Sequence, residues 1–586
     1  MDSDAERSIE VRYQPDERPP LPVTLGLGFQ YAILCIGGVV LTPAILIGVG
    51  GGSDAYLSWA VFTALLVSGV STAIQVLRIG RIGAGYILIM GSNSAFLAVC
   101  ISALQQGGPD LMATLIVLSS GFQFLLASKL SLLRKIFTPT VAGTVLMLIP
   151  VTIAPSLLSK LEEVPAEASS AAAPVCAAVA LIVIVAISLR GSSVWRLWAP
   201  AIGIVAGSLV GGLYFGIYDG AGVREAAWVG LPERAWPGLD LDFGPDFWAL
   251  LPSFVLVTLV GAMDTVGDTI AIQRISWRRP RAIDFRSIQG ALSADGVGNL
   301  LSGLIGTVPN TTYASGIAVA DQTRVAARAV GVCVAAIFVV LAFLPKFLAA
   351  ILAIPGPVAA AFFIVVLSSL FIMGMKILLN EGLDSRKSFV VGLAMFLGIA
   401  FELDWIFPEY FEGTLSELLG DGMTVGGFTV IVLTQFVELT GPRRRRLKMA
   451  LDGESFARIE AFLSEFAARG RRDEEMTHRL RAVGEEMLLT LDRPETEPES
   501  GPASDPRHIL LIAADDGDAV DLEFVASTDE TNLEDQIALL AEPLPGAPIE
   551  EEASLRLLSH YASSVRHQQF HDTEVITVRV APPASL

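Results

Sequence analysis

Long apolar runs recur along the chain, separated by short polar loops. Runs of spanning length fall near 26–48, 57–77, 85–104, 109–128, 137–157, 172–189, 197–216, 246–271, 288–305, 312–324, 327–349, 356–378, 388–403 and 423–440. About 20 apolar residues cross the hydrocarbon core of a bilayer as a helix. The pattern predicts an all-α polytopic membrane protein of fourteen segments. Two of them are short and broken. The third carries the interruption GYILIMGSNSAF, and the tenth, TVPNTTYASGIAVADQTR, is too polar and too short to cross lipid alone. Irregular backbone persists at membrane depth only inside protein or beside a water-filled cavity. Third of seven and tenth of fourteen are equivalent places in two halves, and paired broken segments point to a transport site.

Composition agrees: the chain is 52% hydrophobic and only 17% charged, against about a quarter charged in soluble proteins. The basic residues are unevenly placed. With a cytoplasmic N-terminus, the inside loops hold 22 Lys and Arg and the outside loops four. That bias orients both termini to the cytoplasm and favours an even number of spans. Residues 1–22 are polar and mixed in charge. They are expected to be a disordered cytoplasmic lead-in and not a signal peptide. The membrane domain is expected over 23–441.

Charge changes the picture again beyond the last span. From Arg443 onward there are 16 basic and 29 acidic residues, so residues 442–586 read as an acidic cytoplasmic α+β domain. The balance excludes nucleic acid as a partner. The run Arg443–Arg446 reads as a stop-transfer anchor. All five histidines lie in this tail, which leaves intramembrane titration to carboxylates. The four cysteines stand alone in apolar stretches, and no metal or cofactor site is expected.

Carboxylates do occur at membrane depth. LPSFVLVTLVGAMDTVGDTIAIQ carries Asp264 and Asp268 four residues apart, on one helix face. A carboxylate there is costly and defaults to a functional reading. Asp268, nearer the basic loop, is also open to a helix-end role. The two are candidates to hydrogen-bond a substrate N–H or to carry a proton or sodium ion. Asp295, in SADGVGNLLSGLIG, is open to a coupling role or to tying helices together. Asp321, beside Arg324, reads as a helix-end charge. The tenth segment supplies Tyr313, Ala314, Ser315 and Gly316 at a half-helix start, where free amides and the positive dipole end would face a polar ligand. Ser315 is open to being only a cap. Ser94 and Ala95, in GSNSAF, stand at a matching start.

At these residues the chain resembles the nucleobase–ascorbate transporters, which include the xanthine/uracil permeases. GFQYAILCIGGVVLTPAILIG is similar to the family's first helix, and LPKFLAAILAIPGPVAAAFFIVVLSSLFIMGMKIL to its eleventh and twelfth. MDTVGD is similar to the eighth-helix motif, acid-x-x-Gly-polar, with Asp264 in the acid position that contacts the nucleobase. TTYASGIAVADQTR is similar to the signature Glu/Gln-Asn-x-Gly-x-x-x-x-Thr-Arg, with Thr323 and Arg324 matching its end. The departures are Ser315 at the substrate-binding Glu/Gln, Gly316 at the Asn and Ala318 at the Gly. A base clamped between two long polar side chains would lose one clamp, which points to a larger or different substrate. The resemblance implies two inverted seven-segment repeats. A core domain (segments 1–4 and 8–11) moves against a gate domain (segments 5–7 and 12–14), driven by protons or sodium and often within a homodimer.

In the tail, helices are expected over SFARIEAFLSEFAARG and EEMTHRLRAVGEEMLLTL, then a linker and strands HILLIAA and AVDLEFVAS. Helices near 531–541 and 550–567 and a last strand, TEVITVRV, follow. This order is faintly similar to the ATP-binding domain of histidine kinases and anti-sigma factors. Glu486 is followed by Thr490 where that family has Asn, and no Gly-rich phosphate loop is found. The expectation is a non-catalytic regulatory or docking domain, with a cytoplasmic regulatory protein as its partner, and a generic α+β module is the alternative. Together these features predict a secondary transporter of the plasma (inner) membrane for a small polar solute. An anion carrier of the sulfate-permease type and a solute sensor signalling through the tail are the alternatives. No enzyme is expected, since no nucleophile–base pair is present.

Overall fold

The computed structural model describes residues 11–130, 138–162, 164–165, 168–218, 220–279, 281–382, 384–403, 405–406, 422–440, 444–451, 454–491, 508–516, 519–526, 533, 556–571 and 573–582. In the membrane part the helices are α1 (Leu21–Val49), α2 (Asp54–Leu77), α3 (Leu97–Ser128), α4 (Pro139–Leu158), α5 (Ala172–Arg190), α6 (Ser193–Leu213), α7 (Gly220–Glu225) and α8 (Pro245–Ile275). They continue with α9 (Phe285–Ile305), α10 (Ala314–Thr323), α11 (Arg328–Ala342), α12 (Pro345–Leu352), α13 (Gly356–Glu381), α14 (Ser385–Glu402) and α15 (Gly422–Thr440).

Among the described residues, seven helices are long and apolar enough to cross a membrane. An eighth crossing arises if α11 and α12, bent by 85° at their junction, count as one. The expected eleventh segment is thus two helices, because Pro345 cannot continue α11. The expected third and fourth segments merge differently. Residues Met90–Asn93 are extended, and α3 then runs across a break at Gly108, whose φ of +86° only glycine adopts freely, followed by Pro109.

Helix starts follow local chemistry. The Ser53 hydroxyl accepts the Tyr56 amide at α2, and the Asp384 carboxylate accepts that of Lys387 at α14. Two three-residue strands interrupt the helices: β1 (Met90–Ser92) pairs antiparallel with β2 (Asn310–Thr312), Gly91 facing Thr311. Both strands are buried, so each satisfies the other's backbone groups where water cannot.

The chain divides into two compact units, 1–278 with 287–437 and 279–286 with 438–586. The first has its core in residues such as Leu46, Phe96, Phe254, Val260 and Phe363. The second is a five-stranded antiparallel sheet in the order β3-β4-β5-β7-β6, formed by β3 (Arg445–Ala450), β4 (His508–Asp516), β5 (Ala519–Ala526), β6 (Ser564–Gln569) and β7 (Glu574–Val580). α16 (Ser455–Arg469) and α17 (Glu474–Leu491) pack apolar faces on it through Leu463, Phe466, Leu480 and Met487, against Leu511, Leu522, Phe524 and Val578.

Two expectations change here. The basic run enters the sheet as β3 from Arg445 onward. The helix expected over 550–567 is helical only at 556–561 among the described residues, and Ser564–Gln569 is a strand on the sheet edge. The expected helix near 531–541 and the linker after Leu491 lie outside the described residues, apart from Leu533. The same holds for residues 1–10 of the lead-in.

Candidate functional site

The site grows from three backbone elements. α8 crosses the membrane unit and presents Asp264 and Asp268 on one face, with Thr265 and Thr269 on the adjoining buried face. β1 runs into a 3₁₀ turn at Ser94–Phe96, where the Asn93 carboxamide oxygen accepts the Ala95 amide at 2.9 Å. β2 runs into α10, whose N-terminus has no side-chain cap. The two starts differ: one amide is taken by Asn93, while the other helix end faces the interior uncapped. Such an end favours an electron-rich ligand atom.

Between these elements lies a cavity of about 790 Å³. One wall is polar: Ser92, Asn93, Ser94, Asp264, Asp268, Thr311, Thr312, Tyr313, Ala314 and Ser315. The opposite wall is apolar, with Pro139 and Ala142 from α4 and Phe362, Val366, Leu370, Met373 and Ile377 from α13. Gly38 and Thr42 of α1 complete it. Its volume falls in the range that encloses drug-sized ligands.

The carboxylates are held differently. Asp268 Oδ2 accepts from Thr312 Oγ1 at 2.7 Å, which ties α8 to β2. Asp264 Oδ1 is buried without a hydrogen-bond partner. Asp295 lies off the cavity, 1% exposed, and its Oδ2 accepts from Gln123 Nε2 at 2.7 Å and Thr265 Oγ1 at 2.8 Å. Gln123 Oε1 in turn accepts from Asn299 Nδ2 at 2.7 Å, and Asn299 Oδ1 accepts the Asn310 amide at 2.6 Å. A buried relay therefore runs from α8 through α3 and α9 to β2. Among the described residues no Lys or Arg pairs with these three carboxylates.

Tyr313 locks the strand crossing. Its hydroxyl donates to the Ser92 carbonyl at 2.9 Å, and its own amide donates to the Ile89 carbonyl at 2.9 Å. A Cβ at Gly91 would come within 2.4 Å of the ring, and one at Gly38 within 2.7 Å of the hydroxyl. Glycine is needed at both for this close approach. Ser315 Oγ lies 3.6 Å from Cys35 Sγ.

The cavity brings together Asp264, Asp268, Ser94, Tyr313, Ala314 and Ser315. Ala95 and Gly316 stand just behind its wall, both buried, with the Gly316 amide donating to the Tyr313 carbonyl at 3.0 Å. Asp321 pairs with Arg324 at 3.4 Å on the surface, as a helix-end charge. Sequence reasoning missed the α13 wall and the Gln123–Asn299 relay. Gln123 and Asn299 stand alone in apolar spans, and that isolation was the available signal. Among the described residues no cluster of three metal-ligating side chains occurs.

Comparison with known proteins gives the family. Xanthine permease XanP of Escherichia coli K12 is 28% identical over 443 residues, 73% of this chain and 94% of that protein. Xanthine permease XanQ of the same organism is 27% identical over 449 residues, 72% of this chain and 93% of that protein. Uric acid permease PucK of Bacillus subtilis strain 168 is 24% identical over 429 residues, 72% of this chain and 97% of that protein. Among solved structures, the transmembrane domain of the cyanobacterium bicarbonate transporter BicA is similar with a TM-score of 0.44 and 14% identity, over 72% of this chain and 99% of that one. The family profile of xanthine/uracil permease type, described as Permease family, matches residues 23–403. The chain is an integral membrane protein and belongs to that permease family.

Proposed function

We propose that the chain is a secondary active transporter that takes up a nucleobase-like solute, a purine, pyrimidine or related small polar molecule, coupled to a proton or sodium ion. The observation that carries this reading is Asp264, a buried carboxylate oxygen without a partner on the wall of a ligand-sized cavity. A heterocyclic N–H satisfies that oxygen, and buried polar groups are satisfied as a rule. The uncapped start of α10 at Ala314 and Ser315 suits the carbonyl edge of the same ring. Relatives named for xanthine and uric acid support the substrate class.

Asp264, Asp268 and Asp295 are the coupling candidates, since carboxylates without cationic partners suit a proton or sodium ion. The pairing of β1 with β2 supports reading the two broken segments as equivalents in two inverted repeats. A core carrying the site would then move, elevator-fashion, against a gate that includes α4 and α13, within a homodimer. The charge bias of the loops favours cytoplasmic termini in an inner membrane. The tail is read as a regulatory domain that docks a cytoplasmic protein. An anion carrier is favoured only by the uncapped α10 end, and two carboxylates in the same cavity oppose it.

The test is equilibrium binding of xanthine, uric acid, uracil and sulfate to the purified full chain. Binding of a purine or pyrimidine that is lost in Asp264→Asn is expected. Binding of sulfate alone, indifferent to Asp264, would overturn the assignment.

A further inference from the structure

The polar cavity does not end at Ser315. A second cavity of about 890 Å³ adjoins it, and the two share Gly38, Tyr313, Ser315, Phe362 and Val366 as lining. At Gly38 the Tyr313 ring closes the boundary, and the opening left is at Ser315, which contributes only a hydroxymethyl group where the family signature has a longer side chain. The second cavity is a groove walled by α1, α6, α12 and α13, with Leu209 and Leu213 exposed at its rim and mainly aliphatic side chains inside, including Leu41, Ile204, Ile351 and Ile354. The polar cavity also has an apolar side, facing Asp264 and Asp268 from α13. A bare heterocycle satisfies the carboxylate edge and leaves the rest of this space without contacts, which forfeits the apolar burial that binding draws on.

We infer that the ligand is amphipathic: a heterocycle whose N–H edge meets Asp264 and whose apolar substituent, alkyl or aryl, passes Ser315 into the second cavity. This rests on the nucleobase-site reading above and narrows it to N- or C-substituted purines. Chain length sets the expected size of the effect. Each pair of buried methylene groups strengthens binding about tenfold. The arm makes no contact with Asp264 or Asp268, so its contribution separates from theirs.

The experiment is a binding series on the purified full chain, with xanthine and its N-methyl, N-propyl and N-benzyl derivatives, read as Kd and as melting-temperature shift. Affinity is expected to rise along the series, with propyl at least about tenfold tighter than xanthine. Ala201→Trp, at a half-buried position that lines only the second cavity, is expected to erase the gain while leaving xanthine binding within about twofold. A second reading needs no variant. A phospholipid acyl chain resident in the second cavity would make the gain vanish when lipid is added back, whereas a ligand arm outcompetes it. If xanthine binds and the arms add nothing, or Ala201→Trp leaves the series unchanged, this inference fails alone. If no purine binds at all, the nucleobase reading fails with it.

Discussion

Thr312 Oγ1 donates to Asp268 Oδ2 at 2.7 Å, and through that bond the end of β2 is fastened to α8. Asp264, one turn earlier, has no such tie for its Oδ1. The two acids of one helix face are therefore held differently: one is fixed to the strand crossing, and the other keeps a buried oxygen without a partner beside the cavity.

Thr312→Val removes the donor and leaves Asp268 without it. Hydrogen bonds to charged groups contribute about 1.5–3 kcal/mol. The variant is expected to melt several degrees lower and to bind purine more weakly, while Thr312→Ser retains most of both. An unchanged melting temperature and Kd in Thr312→Val would remove this bond from the account.

Gln123 joins Asp295 to Asn299 inside the helix bundle. Gln123→Leu strands polar atoms on both partners, at a cost of about 1–3 kcal/mol for each buried group left unsatisfied. Thermal unfolding in detergent is expected to show a loss larger than that of Gln105→Leu, whose amide is exposed and only reaches the Val49 carbonyl at 3.4 Å. A loss of the same size in both would mean the relay is not what holds these helices.

Gly91→Ala places a methyl group within 2.4 Å of the Tyr313 ring. Overpacking of this kind costs about 1–3 kcal/mol. The ring must shift and give up its bond to the Ser92 carbonyl, so binding should fall more than in Gly37→Ala, where a Cβ meets nothing within 4 Å. Equal binding in the two variants would argue against a fixed Tyr313.

These sites were unequally legible in the sequence. GSNSAF and PNTTY stood out because small, polar and Pro residues interrupt apolar runs, and the structure makes strands and helix starts of both. Asp264 and Asp268 stood out because charge at membrane depth is rare. The contacts between Asp295, Gln123 and Asn299 were not legible, since they join residues over 170 positions apart whose pairing only the tertiary fold sets. In the tail, charge concealed Arg445–Ala450 as a strand. SVRHQQ lacks the alternation of a half-buried strand, because it lies on a sheet edge where only His567 and Gln569 are buried.

Just beyond α8, Arg278 makes two bonds to the Glu17 carboxylate, at 2.6 and 2.7 Å, and also donates to the Val11 and Arg12 carbonyls. The lead-in is thereby clasped to the end of α8. The Arg278 hydrogen bonds first, and the Gln14 amide second, hold the Glu17 carboxyl below its ordinary value of 4.5. A lowered folded-state value means the contribution is present above the unfolded value and is lost as pH falls through the folded one. The melting difference between wild type and Glu17→Gln is therefore expected to be small and constant above about pH 5, and to close below about pH 4. A difference that grows on acidification would contradict the pairing.

Asp264 is expected to receive the substrate. Uptake of radiolabelled xanthine into proteoliposomes under an imposed proton or sodium gradient, compared between wild type and Asp264→Asn with matched melting temperatures, tests it most directly. Gradient-driven accumulation is expected in wild type, with a loss of about ten- to a hundredfold in the variant, the size of one hydrogen bond to a charged group. Uptake by Asp264→Asn at the wild-type rate would contradict it.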